Sequence, residues 1–148
     1  MSEAIFWMIL SLFDWSKEGD DGSVIEPAIV ELAKRPGSEI IEFEEILARK
    51  LFTLDTLAHA KAIGEKAYVA KDGFFSADWF LYSRCVVIAN GKELYEEVLT
   101  KPSSFPKDLE FESLLRVGRE AYQRKTGNEY DEPTKVSYET FSNKDGWK

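Results

Sequence analysis

Apolar residues recur along this chain at helical spacing, and the breaks between runs fall at glycine, proline and clustered polar residues. Ile5, Phe6, Ile9, Leu12 and Phe13 predict a first helix that ends before Gly19. After the polar loop 17–22, Ser23 and Glu26 have the spacing of a capping box, and Val24, Ile25, Ile29 and Leu32 predict a second helix to about Lys34. Arg35, Pro36 and Gly37 break it. Ser38 then caps a long stripe through Ile40, Ile41, Phe43, Ile46, Leu47, Leu51 and Leu54, with carboxylates early and Arg49 and Lys50 late, as the helix dipole favours.

Thr53 or Asp55 can cap a further helix through Leu57, Ala58, Ile63 and Ala67. Lys71, Asp72 and Gly73 read as a turn, and Ser76 as the cap of the next helix. Gly91 interrupts that helix before Lys92 to Leu99 continues. Beyond Pro102 and Pro106, Leu109, Phe111, Leu114, Leu115, Val117, Ala121 and Tyr122 describe a last helix that stops at Gly127. From Asn128 the periodicity disappears, so residues 128–148 are expected as an extended or mobile arm. Nothing alternates with period two for long. The expected fold is therefore all-α, a compact multi-helix bundle forming one domain over residues 1–148, with strands only if the arm supplies them.

Composition agrees with a packed core: of 148 residues, 44% are hydrophobic and 14% aromatic. The 27 acidic residues outnumber the 19 basic ones, giving net charge −8, a field that repels phosphate backbones and favours a basic protein partner. Nucleic acid is not expected as a partner. The single cysteine, Cys85, sits among Val86, Val87 and Ile88 and reads as an inert core thiol, with no intrachain disulfide possible. The apolar run from Ala4 to Phe13 follows Glu3 instead of a positive leader and is too short to span a bilayer, so a cytoplasmic, membrane-free setting is expected.

One position forces a chemical question. Phe80, Arg84, Val87, Ile88, Gly91 and Tyr95 share one helical face, which turns Arg84 toward apolar neighbours. A guanidinium there needs an anion, and Asp72, Asp78, Glu42, Glu44 and Glu45 are the candidates. It is either an ion pair that fixes the packing or an anion site. Trp79, Tyr82 and Val86, with Phe74 and Phe75, can form an exposed aromatic patch or simply thicken the core. His59, the only histidine, follows Asp55 by one helical turn and lacks a nucleophile beside it. Asp108, Glu110 and Glu112, with Glu93, Glu96 and Glu97, form a possible acidic surface. No phosphate loop, calcium loop or zinc-protease motif is present, so no cofactor or metal is expected.

The segment Ser76–Glu96 resembles a small bacterial family, the domain of unknown function 4240. The pattern SDDxFxYFRxWLIxxGKExYE is matched by Ser76, Asp78, Phe80, Tyr82, Arg84, Ile88, Gly91, Lys92, Glu93, Tyr95 and Glu96. The closing helix agrees at Glu110, Glu112, Leu115, Ala121, Tyr122, Thr126 and Gly127, so the resemblance runs over about residues 5–129. Ala77 departs where the family often has a second Asp, and Val86 with Val87 replaces its Trp-containing pair. The resemblance implies a helical cytosolic domain without an established activity. Together these readings point to a non-enzymatic protein-binding domain, with a toxin-neutralising immunity protein as one concrete form. The alternative is a small-molecule or anion-binding domain, or an unrecognised enzyme, centred on Arg84 with Asp72, Asp78, Trp79 and Tyr82.

Overall fold

Ser2 opens the first helix by accepting a hydrogen bond from the Ile5 amide, and α1 runs Glu3–Leu10 in a computed structural model that describes residues 1–148. Seven α-helices and one two-stranded hairpin make the fold mostly helical. Where one domain is expected from the length, packing groups the residues into two compact units interleaved along the chain. The first comprises Met1–Leu47 and Ser113–Lys135, the second Ala48–Glu112 and Val136–Lys148.

In the first unit, α1 stops at Leu10, three residues short of the apolar run, yet Phe13 stays buried because the Asp14 amide turns back onto the Val24 carbonyl. α2 spans Asp21–Leu32, and its cap is Asp20 instead of Ser23. The Asp20 carboxylate accepts from both the amide and the hydroxyl of Ser23, so the helix starts nearly a turn earlier than the capping-box spacing predicts. α3 (Gly37–Thr53) begins in this unit, and its residues from Ala48 belong to the second. α7 (Val117–Thr126) follows a 3-10 turn over Glu112–Arg116 and packs against α2. A two-pronged Arg124–Glu26 pair at 2.6 and 2.8 Å joins those helices. Both partners are nearly half exposed, so the pair contributes at most about 1 kcal/mol. Phe6 lies against Phe43 at 5.0 Å between ring centres, amid a core that includes Ile9, Ile25, Ile29 and Val117.

In the second unit, Thr56 caps a single helical turn, α4 (Leu57–Ala60), where the sequence suggests a longer helix. Ile63 and Ala67 are buried as expected, but as irregular chain: Ile63 O accepts from the Asp108 amide, and the Lys66 amide donates to Asp108 Oδ1. These bonds satisfy the backbone without a helix. The predicted turn at 71–73 lies inside a short antiparallel hairpin, β1 (Tyr68–Val69) with β2 (Phe74–Phe75), pairing Tyr68 with Phe75. α5 (Ala77–Ala89) is capped by Ser76 and is the centre of the unit: every residue from Phe80 to Ala89 is buried except the half-buried Tyr82. Gly91 adopts φ 107°, a conformation open to glycine, and turns the chain into α6 (Lys92–Thr100). The arm is irregular, as the sequence suggests. Its residues 128–135 belong to the first unit, and Val136–Lys148 are seated in the second, ending in a 3-10 turn over Lys144–Trp147.

Candidate functional site

Of the four residues grouped with Arg84, namely Asp72, Asp78, Trp79 and Tyr82, none hydrogen-bonds its guanidinium. Arg84 is fully buried. Its Nη1 donates to Leu51 O at 2.8 Å and Tyr138 O at 3.0 Å, its Nη2 donates to Thr140 Oγ1 at 3.0 Å, and the guanidinium lies 4.7 Å from the centre of the Phe80 ring. Burial pulls its pKa down to about 10, and Asp55 supplies the largest opposing charge. It therefore stays a cation at neutral pH, its Nη atoms bonded to carbonyls and a hydroxyl instead of the carboxylate that its position suggests, while its buried Nε has no acceptor. Asp72 and Asp78 are exposed, and Glu42, Glu44 and Glu45 belong to the first unit. Tyr82 is half-buried and hydrogen-bonded to Glu112; burial, then the Glu112 charge, raises its pKa. Trp79 is half-buried with Lys66 Nζ 5.5 Å from its ring centre, and its indole N–H has no acceptor. The aromatic patch is thus divided: Phe74 is 48% exposed, whereas Val86 is buried and Phe75 faces other rings.

Asp55 and His59 do not form a dyad. His59 Nε2 donates to Val98 O at 2.8 Å, which leaves Nδ1 to accept from the Thr56 hydroxyl. Burial lowers the His59 pKa, so the ring is neutral. Asp55 is fully buried and receives the Phe141 amide at 3.2 Å, the Asn143 amide at 3.0 Å and Trp147 Nε1 at 2.8 Å. Arg84 and Asp55 therefore hold the same arm, one by its oxygens and the other by its N–H groups. Around them Phe75, Phe80, Phe141 and Trp147 form a ring cluster, with Phe141 and Trp147 only 4.6 Å apart. The arm's aromatic residues are visible in the sequence, but no spacing rule links them to positions so distant.

The first unit holds two further features. Met8, Leu12 and Trp15 are 39%, 36% and 40% exposed in succession along α1 and the turn after it. Glu18, Asp20 and Asp21 follow directly, and the unit carries 15 Asp and Glu against 8 Lys and Arg. Its net charge is −7, leaving only −1 in the second unit. Within α3, Glu44 is 2% exposed, with Oε1 unpaired and pressed into the space that Gly118 leaves by lacking a Cβ. Burial raises its pKa to about 7, and the Arg119 charge opposes that rise. A cleft of about 300 Å³ is lined by Arg119, Glu120, Gln123, Glu129 and Tyr130. The Tyr130 ring lies 5.3 Å from both the Arg119 guanidinium and the Tyr122 ring centre, and its hydroxyl has no partner. No group of His, Cys, Asp and Glu is arranged to hold a metal, and no helix is long and apolar enough to cross a membrane.

A family model described as a protein of unknown function (DUF4240) matches residues 1–124. The chain belongs to that family. No curated protein and no solved structure matches it. Asp55, Arg84, Glu44 and Arg119 all lie within the DUF4240 match, whereas Tyr130 and every arm residue that touches Arg84 or Asp55 lie beyond it.

Proposed function

We propose that this DUF4240 protein is a non-enzymatic binding domain whose first unit docks a basic protein. The observation that carries this reading is the exposed succession Met8, Leu12 and Trp15 on the unit that holds nearly all the net negative charge. Apolar anchors bordered by carboxylates suit a partner that brings apolar contact and cationic side chains together. A toxin-neutralising role is the concrete form of this reading, because acidic surface against a basic toxin speeds encounter as well as holding the complex. The competing reading, an anion site on Arg84, has no opening to solvent to support it, since the guanidinium is sealed and each Nη already donates to an oxygen of the chain.

The test is co-purification with the products of neighbouring genes, together with protection of cells that express them. A partner captured by the unaltered chain, weakened at least tenfold by Leu12→Glu with Trp15→Ala and by raised salt, supports the docking face. Capture that survives both substitutions and is indifferent to salt would remove it.

A further inference from the structure

The contacts around Arg84 and Asp55 have the form of peptide recognition. Arg84 reads a main-chain oxygen, Tyr138 O, and one hydroxyl, Thr140 Oγ1, which itself donates to Ala77 O. Asp55 reads two main-chain N–H groups, those of Phe141 and Asn143, while Asn143 Nδ2 donates to Phe52 O. The segment they hold is turned: the Ser142 amide donates to Glu139 O, Phe141 adopts φ 76°, and Lys144–Trp147 form a 3-10 turn. Main-chain contacts hold a segment whatever its sequence, and pockets for side chains select among segments. Here the selecting pocket is aromatic: Phe75 and Phe80 receive Phe141 and Trp147, whose indole N–H also ends on Asp55. The groove residues Asp55, Phe75, Phe80 and Arg84 fall inside the family match, and the segment that fills the groove falls outside it.

We propose that the Arg84–Asp55 groove is a receptor for a turned segment of a partner protein carrying two aromatic anchors, and that this chain's own residues 138–147 occupy it in cis. The arm then competes with the partner, so apparent affinity is the intrinsic affinity reduced by the fraction of time the arm is away. This groove belongs to the second unit and does not depend on the docking face of the first.

The test uses the full chain with Phe141→Ala and Trp147→Ala, which removes the anchors and leaves the groove, and a fluorescent peptide of residues 136–148 as probe. The peptide is expected to bind this variant at least tenfold more tightly than it binds the unaltered chain. Adding Asp55→Asn should cost at least tenfold, because an amide nitrogen cannot accept the N–H groups that the carboxylate takes. Equal binding to variant and unaltered chain, or indifference to Asp55→Asn, would overturn the proposal. Hydrogen exchange on the unaltered chain decides independently of how the variant folds. Amides of Phe141 and Asn143 should exchange at least tenfold faster than those of Cys85 and Val87, through local opening of the arm. Equal exchange makes the arm part of the core and sinks the idea. Dimers crosslinked from arm to groove would assign the groove to arm exchange between copies, and overturn the reading of a foreign segment.

Discussion

Arg84 carries a charge where no solvent reaches, and its Nη atoms are matched by three oxygens from separate stretches of chain. Lysine at that position keeps the charge but offers one nitrogen in place of a planar fork, so Leu51 O, Tyr138 O and Thr140 Oγ1 cannot all be served. Arg84→Lys should lower the unfolding free energy by about 3 kcal/mol in a urea titration, the scale of a buried charge deprived of partners. A loss within error would show that the network contributes nothing. Glu44 presents the opposite problem, a buried acid whose Oε1 has no partner. Its folded pKa is raised to about 7 from an ordinary 4.5, so the folded state holds the proton more tightly than the unfolded one. The resulting stability is complete below pH 4.5 and is lost as pH rises through 7, by at most about 3 kcal/mol. Glu44→Gln should flatten that slope between pH 5 and pH 8. A slope that survives unchanged in the variant places its origin elsewhere.

Helix α5 joins α6 through Gly91, whose φ of 107° is the clearest backbone demand in the chain. A Cβ added there meets nothing within 4 Å, so any loss in Gly91→Ala comes from the backbone alone, about 1–3 kcal/mol by thermal or urea unfolding. A neutral result would show that the two helices can meet through another conformation. This junction was legible from the sequence, because glycine between two apolar stripes is a strong local signal. So were the Ser76 cap and the burial of α5, which follow from spacing within a few residues. The length of α4 was not legible: Ile63 and Ala67 are apolar enough to continue a helix, and only bonds to Asp108, far along the chain, reveal that they do not. The hairpin was hidden for a related reason, since two-residue strands are too short for any alternation to register. Arg84 could be recognised as a buried cation from its face of the helix. Its oxygen partners could not, because two of the three, Tyr138 O and Thr140 Oγ1, sit in an arm without periodicity, and two, Leu51 O and Tyr138 O, are backbone carbonyls, which carry no sequence signature.

Charge is divided unevenly over the molecule, and the division has a thermodynamic consequence. The first unit has 15 acidic against 8 basic residues, and even with Glu44 counted as neutral its excess is six negative charges. Self-repulsion among exposed carboxylates weakens a compact unit, and salt screens it within roughly 10 Å at 0.1 M. Salt also weakens surface pairs such as the exposed Arg124–Glu26 and the half-buried Arg35–Glu39, but each of these contributes about 1 kcal/mol at most. The repulsive excess is shared by many groups and should win. Raising sodium chloride from about 0.02 M to about 0.3 M is therefore expected to increase amide protection in the first unit severalfold, as the Debye length contracts from roughly 20 Å to under 10 Å. The second unit has net charge −1, and its buried charges, Arg84 and Asp55, are held by local hydrogen bonds that salt does not reach. Its amides should change by less than about twofold, the margin left by near-neutral charge. Residue-resolved hydrogen exchange at one pH and two salt concentrations separates the outcomes, with α2 and α7 reporting on the first unit and α5 on the second. Equal gains in both would mean that charge acts on the chain as a whole, and that the acidity of residues 1–47 is not concentrated where a basic partner would relieve it.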